Sequence, residues 1–215
     1  MPFPGANVVH IFLSAFTTLF VAIGAVELAA MFLALTPGVD ARSKRRLALI
    51  AAGVAAAVLL AFALGGLELL SLIGVGLPAF RTAGGVLLLM TSAEMLLRRH
   101  TGLTSITPTE EMEAKEQPDI AIFPLAIPLT AGPGSMTAIV LLMGRAHTHM
   151  AQGMVLLALL LNVLLAYVAM LMSQALMRVL GLTGANVVAR VSGILLAALA
   201  MQFIFDGLSS SRVFG

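Results

Sequence analysis

The chain has 215 residues, 60% of them hydrophobic and only 10% charged, with a net charge of +2 and no cysteine. A typical soluble domain is about 45–50% apolar and about 25% charged, so the excess apolar surface must face something other than water. These figures exclude an ordinary soluble enzyme, a disordered chain and a nucleic-acid binder, and the lack of cysteine removes disulfides, thiol chemistry and Cys metal sites.

A helix needs about 20 apolar residues to cross about 30 Å of hydrocarbon, and six segments reach that length. The first runs from Ile11 to Leu35, interrupted only by Glu27. It lacks a basic start and is too long for a signal-peptide core, so it is expected to remain as a helix. The second, Leu47 to Leu67, carries no charge. Leu69 to Ala79 is apolar but too short to span, and Gly74, Gly76 and Pro78 suit a turn or a re-entrant connector. The third span runs from Pro78 to Leu97, with Arg81 at its start and Glu94 near its end. Residues 99–119 then form a polar stretch rich in Glu, Ser and Thr, read as a cytoplasmic loop between two halves, residues 1–98 and 120–215, of one membrane domain. A solvated linker is its plain reading and a regulatory binding segment the alternative. The fourth span, Ile120 to Gly144, and the fifth, Met150 to Met177, are uncharged. The sixth runs from Ala185 to Leu208, with Arg190 early and Asp206 late.

Nine basic residues fall on the side of the first, third and fifth connections, including Arg42, Lys44, Arg45 and Arg46. Three fall on the other side: Arg81, Arg145 and Arg212. The positive-inside rule then predicts both termini outside the cytoplasm. Three spans per half also invert the second half relative to the first, as in many secondary transporters. The third span opens Arg81-Thr-Ala-Gly84 and the sixth Arg190-Val-Ser-Gly193, an offset of 109 residues. The expected fold is therefore all-α and polytopic, with six transmembrane helices as two inverted three-helix repeats.

The fourth span holds Pro128-Leu-Thr130-Ala-Gly132-Pro133-Gly134-Ser135-Met-Thr137. Prolines lack an amide donor and crowd the preceding turn, and glycines admit backbone angles that other residues avoid. This helix is predicted to break at Gly132-Pro133-Gly134. Broken backbone in hydrocarbon must be buried in protein or line a cavity. The amides after Pro133 then form a helix N-terminus suited to a carboxylate, with the hydroxyls of Thr130, Ser135 and Thr137 beside it. The alternative is a packing kink. The same offset from Pro133 lands on Gly24, three residues before Glu27. A charged side chain at mid-membrane costs on the order of 3 kcal/mol on insertion scales. Glu27 is thus read as a proton carrier, or as a neutral group bonded to backbone. Glu94 and Arg98 have ion-pair spacing, Asn162 is read as helix glue, and Gln202 and Asp206 share one face near the outer end of the sixth span. His147 and His149 lack supporting ligands, and neither a metal nor another cofactor is expected.

The stretch from Phe123 to Thr137, with its Pro-Leu-Thr-Ala-Gly-Pro-Gly core, resembles the MarC family of bacterial integral membrane proteins. So do Ala79 to Leu88, Ala93 to Leu96, and Arg190 to Leu208 with its Met201-Gln202-Phe203-Ile204-Phe205-Asp206 ending. The resemblance implies a six-helix inner-membrane protein with a cytoplasmic loop after the third helix, and some relatives are described as neutral amino acid transporters. The chain departs from the family in the first span. Relatives carry Asn-Pro-x-Gly and a further proline where this chain has Gly24, Ala25, Val26, Glu27 and Ala30. The expected function is secondary transport of a small polar solute such as a neutral amino acid. Gly24, Thr130, Gly132, Pro133, Gly134, Ser135 and Thr137 would line its site, and Glu27 would couple protons. The alternative is a non-transporting scaffold or sensor. The expected partners are the lipid bilayer and a small-molecule substrate, with no nucleic acid and with a homo-oligomer left open.

Overall fold

The computed structural model describes residues 8–97 and 120–211. The loop 99–119 and the partner proposed for Glu94, Arg98, lie outside the described residues. Every regular element among the described residues is helical. They are α1 (Val8–Ile23), α2 (Ala25–Leu35), α3 (Ala41–Leu72), α4 (Leu77–Leu97), α5 (Ala121–Thr130), α6 (Pro133–Arg145), α7 (His149–Leu171) and α8 (Ser173–Ser210). Five stretches are long and apolar enough to cross a membrane, and the bent pair α5–α6 makes a sixth if counted as one span.

The first span, Val8–Leu35, is nicked between α1 and α2. Gly24 stands in the left-handed region at φ 62°, ψ 54°, a conformation that costs a glycine little because it has no Cβ. Its amide still donates to Phe20 O at 3.2 Å, and its carbonyl accepts from Leu28 N at 3.0 Å. One glycine therefore breaks a helix that has no proline.

α3 begins under a side-chain cap: the Asp40 carboxylate accepts from the amides of Arg42 (3.0 Å) and Ser43 (3.1 Å). It runs on to Leu72, so Leu69 to Leu72 belong to a continuous helix rather than to a connector. The chain reverses over residues 73–76, with Gly74 at φ 73°, and α4 begins at Leu77. No re-entrant segment forms between α3 and α4. At the far end, α7 stops at Leu171 instead of reaching Met177. Residues 173–180 join α8, which is kinked at Gly181 (φ 62°, ψ 178°) before the apolar stretch Thr183–Ser210.

α4 and α8 pack antiparallel along their length at glycines. A Cβ on Gly207 would stand 2.8 Å from Pro78 O, one on Gly85 2.8 Å from Ala200 O, and one on Gly193 3.3 Å from Ser92 O. The contacts run in opposite order along the two chains. Small residues let backbones approach where no hydrophobic effect drives helices together. Asn162 joins α7 to α1 by donating to Phe16 O at 3.2 Å, while also donating to Ala158 O at 2.9 Å, so it acts as the expected glue. The main core fills the space between α1, α2, α3, α5, α6 and α7, and a second cluster of Leu88, Leu141, Leu196, Ala200 and Phe203 fills the space between α4, α6 and α8. Leu13, Leu64, Leu72, Leu164, Ile194 and Phe205 point outward and are exposed, which is where the surplus apolar side chains go.

Candidate functional site

The fourth span breaks as its prolines and glycines dictate. α5 and α6 meet at 54° across Ala131 and Gly132. Within α5, Phe123 and Ile127 are extended, each just before a proline, and both X–Pro bonds are cis. Its hydrogen bonds are wide: Leu125 N donates to Ile120 O at 3.4 Å and Ala131 N to Ala126 O at 2.8 Å. Hydroxyls supply what the prolines cannot. Thr130 Oγ1 donates to Leu125 O at 2.8 Å, and Ser135 Oγ donates to Thr130 O at 2.9 Å. Side-chain rescue of freed carbonyls is what makes a broken helix tolerable in lipid.

Pro133 occupies the first position of α6, where its missing amide costs nothing. Met136 N donates to Gly132 O at 2.9 Å, which closes the first turn. The geometry of a helix start leaves the amides of Gly134 and Ser135 without intrahelical partners. Gly132 has no side chain to cap them, and there is no room for one: a Cβ would stand 2.5 Å from Pro128 O.

A cavity of about 450 Å³ connects this break to the one at Gly24. Gly24 and Glu27 line it from the first span, and Gly132, Gly134 and Ser135 from the fourth. Thus five of the eight expected site residues share one cavity. The other three do not line it. Thr130 is fully buried with its hydroxyl engaged by Leu125, Pro133 starts α6, and Thr137 packs its methyl group against Gly84 of α4. Glu27 turns back over the first break, with Oε2 3.2 Å from where a Gly24 Cβ would stand. Among the described residues its carboxylate makes no hydrogen bond or ion pair.

Three further polar residues line the cavity: Thr91 and Glu94 from α4, and Asn186 from α8. Glu94, spaced four residues before Arg98, is buried in this wall. The signal for it was the one that marked Glu27, a lone carboxylate inside an apolar span. Thr91 follows from Glu94 by the i, i+3 spacing that puts both on one helix face. Nothing in the local sequence marks Asn186. Among the described residues of the lining, Glu27 and Glu94 are the charged ones and none is basic.

At the other end of α4, α6 and α8, Arg145 and Asp206 form a part-buried ion pair. Gln202 Nε2 braces Asp206 Oδ1 at 2.8 Å. These two α8 residues, placed together by sequence spacing, serve Arg145 and do not line the cavity. Among the described residues no group of three His, Asp or Glu could hold a metal ion.

A family model described as MarC family integral membrane protein matches residues 9–211. The chain is 34% identical to a UPF0056 membrane protein of Methanocaldococcus jannaschii, over 92% of this chain and 95% of that one. It is 32% identical to a UPF0056 membrane protein of Archaeoglobus fulgidus over 97% of each chain. It is 30% identical to the UPF0056 membrane protein YhcE of Escherichia coli over 92% of each. No solved structure matches. None of these names states an enzymatic activity. With its helices, its broken fourth span and a match over nearly its whole length, the chain belongs to the MarC family of integral membrane proteins.

Proposed function

We propose that the protein is a secondary transporter of a small polar solute, such as a neutral amino acid, with Glu27 carrying a coupled proton. The observation that carries this reading is the cavity shared by the two breaks, with Glu27 on one side and the α6 N-terminus on the other. Its volume lies within the roughly 300–1,000 Å³ of small-molecule sites. The unpaired amides of Gly134 and Ser135 suit a solute carboxylate, and Glu27 suits its ammonium group or a proton. A scaffold or sensor would favour a dry, packed break, and the cavity weighs against it.

Packing also supports two inverted repeats. Exchanging the halves pairs the first span with the fourth, α3 with α7, and α4 with α8. α1 and α2 pack on α7, as α5 and α6 pack on α3, and α2 packs on α8, as α6 packs on α4. The breaks at Gly24 and Pro133 keep the 109-residue offset of Arg81 and Arg190. In this reading the termini lie on the periplasmic side of a bacterial inner membrane, and the cavity extends from the breaks towards Ala34, Met95 and Asn186 on the side of the basic first connection.

The test is uptake into liposomes containing the purified protein. A panel of labelled neutral amino acids is offered with and without an imposed proton gradient. Uptake of at least one, faster with the gradient, is expected; no uptake or efflux across the panel sinks the reading.

A further inference from the structure

The cavity stops short of one end of the helices, and what closes it there is built in two layers. The inner layer is the apolar cluster of Leu88, Leu141, Leu196, Ala200 and Phe203, all buried. It abuts the fourth-span break, since a Cβ on Gly134 would stand 3.1 Å from Leu88 Cδ2. The outer layer is the Arg145–Asp206 pair. Arg145 lies about 15 Å beyond Ser135 along α6 at 1.5 Å per residue. Its guanidinium carbon sits 5.1 Å from the centroid of the Phe203 ring, which joins the two layers. The pair ties the C-terminal end of one half-helix, α6, to α8.

The outer layer carries an excess of positive charge. Arg81 of α4 acts electrostatically on Arg145, and Asp206 is the carboxylate paired with Arg145. The Nε atoms of both arginines are buried without a hydrogen-bond partner. Removal of Asp206 leaves two like charges facing each other in a partly buried site, and an unpaired buried charge is strongly unfavourable. The 109-residue offset equates Arg145 with Thr36 and Asp206 with Leu97 at the other end of the molecule. Those two residues cannot form the equivalent ion pair.

We infer that the Arg145–Asp206 pair and the Leu88–Leu141–Leu196–Phe203 cluster beneath it are the gate that seals the cavity from the side opposite the basic first connection. Gln202 holds Asp206 in register for Arg145. Arg81 adds a like charge that acts on Arg145 and so favours its departure when α6 swings from α8. The inference rests on the transport reading, since a gate presupposes passage.

The natural absence of cysteine allows one to be placed in the plug. Ala200→Cys is reacted with a charged, membrane-impermeant thiol reagent applied from the side of the ion pair. It is expected to be nearly inert in the otherwise native chain. In the Asp206→Asn background it should react about tenfold faster, the shift expected when a closed state loses its counter-ion. The swapped pair, Arg145→Asp with Asp206→Arg, should restore slow labelling, which a merely unfolded variant would not. Should Asp206→Asn aggregate, Gln202→Leu in the same assay is expected to raise the rate by a smaller factor. Unchanged reactivity in both variants, or no recovery in the swap, overturns the gate. Uptake with unchanged reactivity also defeats the gate and spares transport. A change in reactivity without uptake of any solute defeats the transport reading and leaves the closure in place.

Discussion

At Gly24 and Glu27 two residues three apart do complementary work. The glycine takes a left-handed conformation and opens the helix, and the carboxylate folds back over the opening. Glu27→Gln keeps the size and removes the proton. In the proposed mechanism this variant still moves solute down its own gradient, but uptake loses its dependence on the proton gradient; uptake that responds to pH as the native protein does would remove Glu27 from the coupling. Asp40 offers a simpler titration outside the membrane. Hydrogen bonds from Ser43 first, and from the Arg42 amide, hold its carboxyl below the usual carboxylate range. A depressed folded value means that its contribution is present above the unfolded pKa of about 3.9 and is lost as pH falls through the lower folded value. The difference in Tm between the native chain and Asp40→Ala should be full near neutrality and shrink in strong acid. A difference that is flat across that range would contradict the capping role.

Helix breaks, turns and glycine contacts decide which elements the sequence makes. The fourth-span break is legible because Pro128, Gly132, Pro133 and Gly134 each act on their own backbone. The first-span break is harder to read, because Gly24 acts there without a proline. The ends of α3 and α7 are less legible still, since apolar runs do not record where a helix turns inside lipid-facing sequence. Leu69 to Leu72 are as apolar in a helix as in a connector. The α4–α8 contact rests on close approach, so bulk at its glycines should matter more than polarity. Gly85→Leu meets Ala200 O and the side chain of Ile204, and overpacking of this kind costs about 1–3 kcal/mol. Thermal unfolding in detergent should register that loss, whereas Gly53→Leu, on open space in α3, should be nearly silent. Equal losses at the two sites would contradict the close-packed α4–α8 seam.

For the molecule as a whole, span number and cavity chemistry come from different kinds of information. Composition and segment length point to a membrane bundle, because 60% apolar residues leave few alternatives. Glu27 and Ser135 sit 108 positions apart in the chain, and their meeting in one cavity depends on how two breaks pack in three dimensions. Thr91 and Asn186 join them for the same reason; Thr91 shares a helix face with Glu94, whereas nothing in the local sequence marks Asn186. The proposed repeat accounts for the pairing of breaks, and the Arg145–Asp206 pair ties α6 to α8 at one end. In the proposed mechanism solute passes through the cavity at the breaks, and that passage can be followed chemically. It is tested most directly with one cysteine in the wall, Met31→Cys, reacted with a water-soluble thiol reagent while a transported amino acid is titrated in. The reaction should slow as solute fills the cavity, with half-protection near the concentration that half-saturates uptake. A reaction rate that stays constant at saturating solute while uptake proceeds would contradict it.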